Sequence, residues 1–504
     1  LTISTSNATT NYTGQTEVQG GTLLVTGNIG NGLVLINGGT FQAGSTTALG
    51  STAAGTTITT GTLDVNGFNL GAEPITVQGA GVGGVGAIIN SGVQQINALS
   101  NVTMSGNVTF GGTYNPAGAS GNGRWDIRGS TASPGTLSTG GNAYNITKVG
   151  SNYVGIVYTN VDTALGNIDI QGGTFSFQTT DTSMGDPTKT LTIASGANML
   201  FYNTAATMTK QAILNGGMLY GQSGTGTNNT FAGSITVNNV DTGYNNWNST
   251  GHTYGGVLQA GNDDHLTAVL NIACPITGAG GVTVTTNITN AATQTGTVIL
   301  TATAVGSYNG DTTINNGHLQ LGADNLLPYG SGKGNLNLSV ATSILEMNNY
   351  NLTINGLNGV AGSVRNSGAS LKTLSLGNND ANGAYAGTID NNIALTKSGA
   401  GTQILSGINT YTGNTTVSAG ILNMLDLNTP AATVTVTGTG SALTASSITA
   451  NTLTIGAGAT VTITAIPGGP LAGMGSISAV PEPATWAMLL LAATGLGIYR
   501  RRVR

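Results

Sequence analysis

Two short stretches hold the densest sets of side chains that could do chemistry. In "GRWDIRG", Gly123 to Gly129, strand alternation puts Arg124, Asp126 and Arg128 on one face and Trp125 with Ile127 on the other. That pattern predicts a surface ion-pair ladder over a buried tryptophan. A polysaccharide-cleaving site would need comparable acidic and basic groups gathered in a groove, so this stretch carries the enzymatic alternative. In "GNDDHL", Asp263, Asp264 and His265 could bind a cation or exchange protons. Adjacent strand residues point to opposite faces, so the preferred reading is a solvated loop at a corner.

Other chemistry finds little support. Gly81, Gly83 and Gly86 fit G-x-G-x-x-G, yet no helix follows and no acidic residue stands at the required offset, so no dinucleotide site is expected. Gly332-Lys333 is followed by Gly334, and Leu327 occupies the place of the first P-loop glycine. His252, His265 and His318 lack metal-ligand spacing, and no metal or other cofactor is expected. Cys274, between Ala273 and Pro275, reads as a small core residue; as the sole cysteine it cannot form an intramolecular disulfide. A net charge of -5 argues against a nucleic-acid partner, which requires clustered Lys and Arg.

What must position these residues is a chain of 504 residues with 81 glycines and only 6% charged residues. Thr, Val and Ile recur throughout, and Gly or Asn interrupts almost every candidate helix, so the chain should fold as β structure. Three stretches repeat: "YTGQTEVQGGTL" from Tyr12, "YNGDTTINNGHL" from Tyr308 and "YTGNTTVSAGIL" from Tyr411. Each has Tyr, Gly two residues on and Gly nine on: Tyr12, Gly14, Gly21; Tyr308, Gly310, Gly317; Tyr411, Gly413, Gly420. Thr415 and Val417 make a short strand, Gly420 a corner, and Leu422 with Met424 a second strand. Such units, repeated without intervening helices, predict a stacked solenoid. At roughly 20 to 25 residues per coil, the body has about twenty coils and spans about 100 Å. A set of β-sandwiches is the less favoured alternative. The many N-x-T sites reflect Asn at corners and Thr on outward strand positions.

The stretch "IALTKSGAGTQILSGINTYTGNTTVSAGILNM", Ile393 to Met424, resembles the autotransporter-associated β-strand repeat of bacterial surface proteins. Weaker relatives include "NITKVGSNYVGI" from Asn145. The resemblance implies a right-handed parallel β-helix. Such passengers are often followed by a membrane β-barrel, whereas this sequence ends in an apolar segment and four arginines.

That ending is "AVPEPATWAMLLLAATGLGIYRRRVR", Ala479 to Arg504. Residues 484–499 form an apolar segment, read as a single hydrophobic helix, with Trp486 and Tyr499 at its ends; Arg500, Arg501, Arg502 and Arg504 follow. The arginines resist translocation and place the body on the outer side of the inner membrane. Pro481, Glu482 and Pro483 form a rigid extended element ahead of the apolar segment. This order looks like the PEP-CTERM sorting signal, which implies recognition by an exosortase-type sorting protease, transient inner-membrane insertion, and delivery to the cell surface or extracellular matrix. Leu1 is not a start methionine and "LTISTSNATT" lacks an h-region, so a removed or omitted signal peptide is expected.

The expected organisation is a β-helical body over residues 1–466, a Gly/Pro-containing linker over 467–480 and a sorting signal over 481–504. The expected function is that of an exported, non-enzymatic structural or adhesive protein that contacts exopolysaccharide or matrix. A lyase or glycosidase on the same scaffold is the alternative.

Overall fold

The computed structural model describes residues 1–4, 12–71, 73–113, 123–179, 183–204, 206–224, 228–246, 248–262, 264–287, 296–301, 306–464 and 477–479. The sorting signal, its apolar segment and Asp263 lie outside these residues. The described part is all-β, a parallel β-solenoid of about 19 turns in two compact units. Its helical content is confined to single 3-10 turns such as Val82–Gly84, which lies where the G-x-G-x-x-G match falls. Parallel stacking excludes the sandwich alternative.

Unit 1 comprises Leu1–Tyr244 and His252–Thr301. One of its ladders stacks Ile146–Lys148, Ile168–Ile170, Thr190–Ala194, Gln211–Asn215 and Ser234–Val237 in parallel register. A second stacks Trp125–Arg128, Tyr153–Val157, Thr174–Gln178, Asn198–Tyr202 and Met218–Gln222, followed by His252–Asn262. The sequence reason is plain in Thr190–Ala194, "TLTIA", where buried Leu191 and Ile193 alternate with half-buried Thr and Ala. Inward residues of successive rungs lie over one another: Phe175 over Met199 over Leu219, and Phe177 over Phe201. Trp125 stands two rungs before Phe175 in this stack, edge-on to Phe110 at 5.2 Å, with its indole N–H donating to the Gly111 carbonyl at 3.1 Å.

Unit 2 comprises Asn245–Gly251 and Ala302–Arg504. Here Lys372–Leu376, Ile393–Lys397, Thr415–Val417 and Ile421–Val436 stack in parallel, and Ile421–Val436 pairs along its length with Ala442–Ile455. Leu395 lies beside Thr415, twenty residues on, within the expected coil length. In the segment expected to be a linker, Ile477–Ala479 forms a strand beside Leu453–Ile455.

Three lysines point inward with the apolar residues. Lys148 ends a strand whose other inward residue is Ile146, and its Nζ donates to the carbonyls of Val149, Gly150 and Gly172 at 2.8, 3.0 and 3.1 Å. Lys397 follows Ile393 and Leu395 on one face and donates to Ser398, Gly399 and Ala419 at 2.6, 2.8 and 3.3 Å. Lys210 donates to Gly166 and Asp186 at 2.7 and 3.0 Å. Each ammonium ties corner carbonyls from more than one coil, satisfying acceptors that would otherwise be buried without a partner. Burial pushes Lys148 down to about 7 and Lys210 to about 8.

Candidate functional site

The repeat motif has a structural basis. The side chains of Tyr308 and Tyr411 are buried in the coil, and each phenol oxygen is hydrogen bonded to the hydroxyl of the threonine four residues on, Thr312 and Thr415, at 2.5 and 2.7 Å. Tyr12 differs: it is 49% exposed and donates to the Gln15 carbonyl at 2.7 Å. The ninth-position glycines share a conformation, with φ of +65 at Gly21, +85 at Gly317 and +63 at Gly420, a region that side chains disfavour. Gly14 lies against the Tyr12 ring, which a Cβ would meet at 3.0 Å; a Cβ on Gly413 would meet the Ile393 carbonyl at 2.7 Å. Gly310 lies between Tyr308 and the strand Thr312–Ile314.

The "GRWDIRG" ladder is only partly on the surface: Arg124 and Arg128 keep about a fifth of their side chains exposed, but the carboxylate between them does not. Trp125 is buried as expected, but Asp126 on the opposite face is also 0% exposed. Arg124 grips it through Nε and Nη2 at 2.8 and 2.9 Å, and Arg128 through Nη2 at 2.7 Å. The reason is coverage of the sheet's outer face: the next rung puts Gly155 directly against Asp126, where a Cβ would lie 2.4 Å from Oδ1. The Arg124 guanidinium lies 4.2 Å from the centre of the Tyr153 ring. Burial pushes the Tyr153 phenol up to about 12, so it remains a hydrogen-bond donor at neutral pH.

"GNDDHL" does not form a carboxylate-histidine cluster among the described residues. Asp264 is exposed, while the His265 ring turns to Gln222 at 2.8 Å, to Asn262 at 3.1 Å and to the Tyr202 hydroxyl at 3.3 Å. His265 and Tyr202 meet edge-on at 5.2 Å. The fold thus brings two stretches far apart in sequence to one place: Arg124, Arg128, Tyr153, Tyr202 and His265 line a groove of about 450 Å³. A second hollow of about 550 Å³ adjoins it, sharing Tyr153, Leu200 and Gln222 and adding Tyr220, Tyr244 and Gln259. Sequence reading missed this groove. Its signal lies in the outward positions of "YVGIV", "TFSFQ", "NMLFY" and "MLYGQ", which interleave tyrosines with amides.

The remaining candidates are structural. Cys274 is buried, and burial pushes its thiol up to about 12, away from thiolate chemistry. His252 pairs with Asp241 at 2.8 Å. His318 lies on strand Gly317–Leu321, where burial lowers its proton affinity. Lys333 donates to Ser307 and Asn309. Among the described residues no group of three or more His, Cys, Asp or Glu could hold a metal, and no helix is long and apolar enough to cross a membrane.

A parallel β-solenoid with repeated Tyr–Gly corners and a polar, aromatic-lined groove defines a repeat-built β-solenoid protein. The chain carries the passenger-associated-transport-repeat at residues 1–25, 292–321 and 395–424, each containing one of the three Tyr motifs, and a PEP-CTERM protein-sorting motif at 479–504. It is similar to the adhesin BmaC autotransporter of Brucella suis biovar 1 (strain 1330), with 34% identity over 133 residues, 25% of this chain and 4% of the adhesin. This chain therefore spans a small part of that relative's length. No solved structure matches.

Proposed function

We propose that this chain is an exported bacterial surface protein whose solenoid serves a structural and adhesive role at the cell surface or in the extracellular matrix. The carrying observation is the presence in one chain of passenger-type repeats and a terminal sorting motif. An exosortase-type protease recognises the motif in this reading. The apolar segment 484–499 holds the protein in the inner membrane until then, with Arg500, Arg501 and Arg502 on the inner side. The body then reaches exopolysaccharide or matrix.

A non-enzymatic role is supported by the state of Asp126: both its oxygens are engaged by guanidiniums and none of it reaches solvent, so it cannot serve as an accessible acid or base. The test is fractionation of host cells with and without the sorting protease, using the wild type and a Pro481→Ala/Pro483→Ala variant. Release of a shortened wild-type chain, with the variant retained in the membrane, is the expected result. Unchanged release of the variant would overturn processing, and recovery of both forms in the cytoplasm would overturn export.

A further inference from the structure

The groove of unit 1 has a chemistry of its own. It follows the outer face of the ladder from Trp125–Arg128 to His252–Asn262, six rungs or about 24 Å at ~4.8 Å per strand spacing. Register makes it regular. Gln178, Tyr202 and Gln222 stand beside one another on three successive rungs, and Ser176, Leu200, Tyr220 and Gln259 form the neighbouring column. Tyr153, Tyr202, Tyr220 and Tyr244 are half-buried, so each ring is fixed by its neighbours while part of it faces the groove. Fixed rings and amides lose little entropy on binding.

Composition selects the ligand. Asp126 offsets one of the two guanidinium charges, and most of the remaining polar lining is amide, hydroxyl and phenol. A nucleic acid requires clustered cations that this groove does not offer. An extended peptide adds to a sheet edge, whereas these rungs have strand partners on both sides. Amides that both donate and accept match vicinal hydroxyls, and tyrosine rings match the C–H faces of pyranoses. We propose that this groove binds a neutral oligosaccharide chain along the half-exposed pair Tyr202 and Gln222, with the ring of Tyr220 beneath its sugars, while buried Gln178, donating to the Tyr153 hydroxyl and to Ser176, holds the wall of the groove in place. The proposal deepens the adhesive reading and rests on it for its biological sense, but its test is independent of export.

The test titrates the purified full chain with cello-, malto- and chito-oligosaccharides, and with oligogalacturonate as the acidic comparison, at low and high salt. The expected result is saturable binding of at least one neutral series, insensitive to salt. Affinity should fall about tenfold in Gln222→Ala and in Tyr202→Ala, each removing contacts of the order of one hydrogen bond or stacked ring. The isosteric Tyr202→Phe, which keeps the ring, should lose less, and guards against misfolding of the alanine variant. Tyr254→Ala, at an exposed tyrosine outside the groove lining, should bind as the wild type. Absence of neutral binding, salt-sensitive binding of oligogalacturonate alone, or equal affinity in all variants would overturn the proposal. Shortening of the oligosaccharides during the titration would overturn its non-enzymatic form. If binding holds while the chain stays cytoplasmic in its host, the export reading fails alone.

Discussion

The phenol oxygen of Tyr411 lies 2.7 Å from the Thr415 hydroxyl, and both side chains are shut away from water. The two residues recur at this spacing in all three motif copies, and the hydrogen bond forms in the two whose tyrosine is buried, Tyr308 with Thr312 and Tyr411 with Thr415. Tyr411→Phe keeps the ring and strands the buried Thr415 hydroxyl, which should cost about 1–3 kcal/mol. Tyr12→Phe, at an exposed phenol, should stay within about 0.5 kcal/mol. Denaturant unfolding of the two variants of the full chain checks the contrast; equal losses would refute it.

The buried lysines give the fold a pH dependence. Lys148 titrates near 10.5 in an unfolded chain and at about 7 in the fold, so between those values the unfolded chain binds the extra proton. Folding stability must therefore rise with pH from about 7 towards 10, with Lys210 contributing above about 8. Above about 10 the trend reverses, because burial raises the phenols of Tyr308, Tyr385 and Tyr411 and their ionisation favours the unfolded chain. The unfolding midpoint should increase from pH 7 to pH 9.5 in wild type and increase less in Lys148→Met. A flat or falling wild-type profile over that window would contradict the assignment.

What could be read in the sequence was local. Period-2 alternation and a glycine at a fixed offset specify a strand, a corner and the next strand, as Thr415–Val417, Gly420 and Ile421–Val436 show. The groove could not be read, because it depends on which residues of different coils fall side by side. Met218 neighbours Val257, across an excursion nearly twice the usual coil, and no local pattern marks that spacing. Burial of Asp126 was hidden for a related reason. Alternation says which residues share a face and not whether the outer face is covered. The inward lysines did leave a trace, since "TKVG" at Thr147 and "TKSG" at Thr396 place lysine in phase with the core residues and glycine two on.

Asp126 between two guanidiniums behaves as a buried charge, not as a surface pair. Asp126→Asn preserves shape but leaves Arg124 and Arg128 facing each other, each itself about four-fifths removed from water. The loss should be about 3 kcal/mol, well above the value for an exposed ion pair. Thermal unfolding of this variant beside His252→Ala, whose pair with Asp241 is half-exposed, separates the two regimes. A drop no larger than that of His252→Ala would mean that the arginines find water when the carboxylate is neutralised.

Gly21 and Gly420 occupy the same motif position and nearly the same backbone conformation, yet their surroundings differ. A Cβ at Gly21 would meet nothing within 4 Å, whereas at Gly420 it would lie 2.4 Å from the Gly399 carbonyl of the preceding coil. Gly21→Ala therefore bears only the left-handed strain, about 1–2 kcal/mol. Gly420→Ala bears that strain and must also move a carbonyl that faces it from the coil before, so its loss should exceed that of Gly21→Ala by at least about 1 kcal/mol. Unfolding midpoints of the two variants of the full chain measure the difference directly. Equal losses would mean that conformation alone selects glycine at this corner; a larger loss at Gly420 would show that coil stacking selects it too.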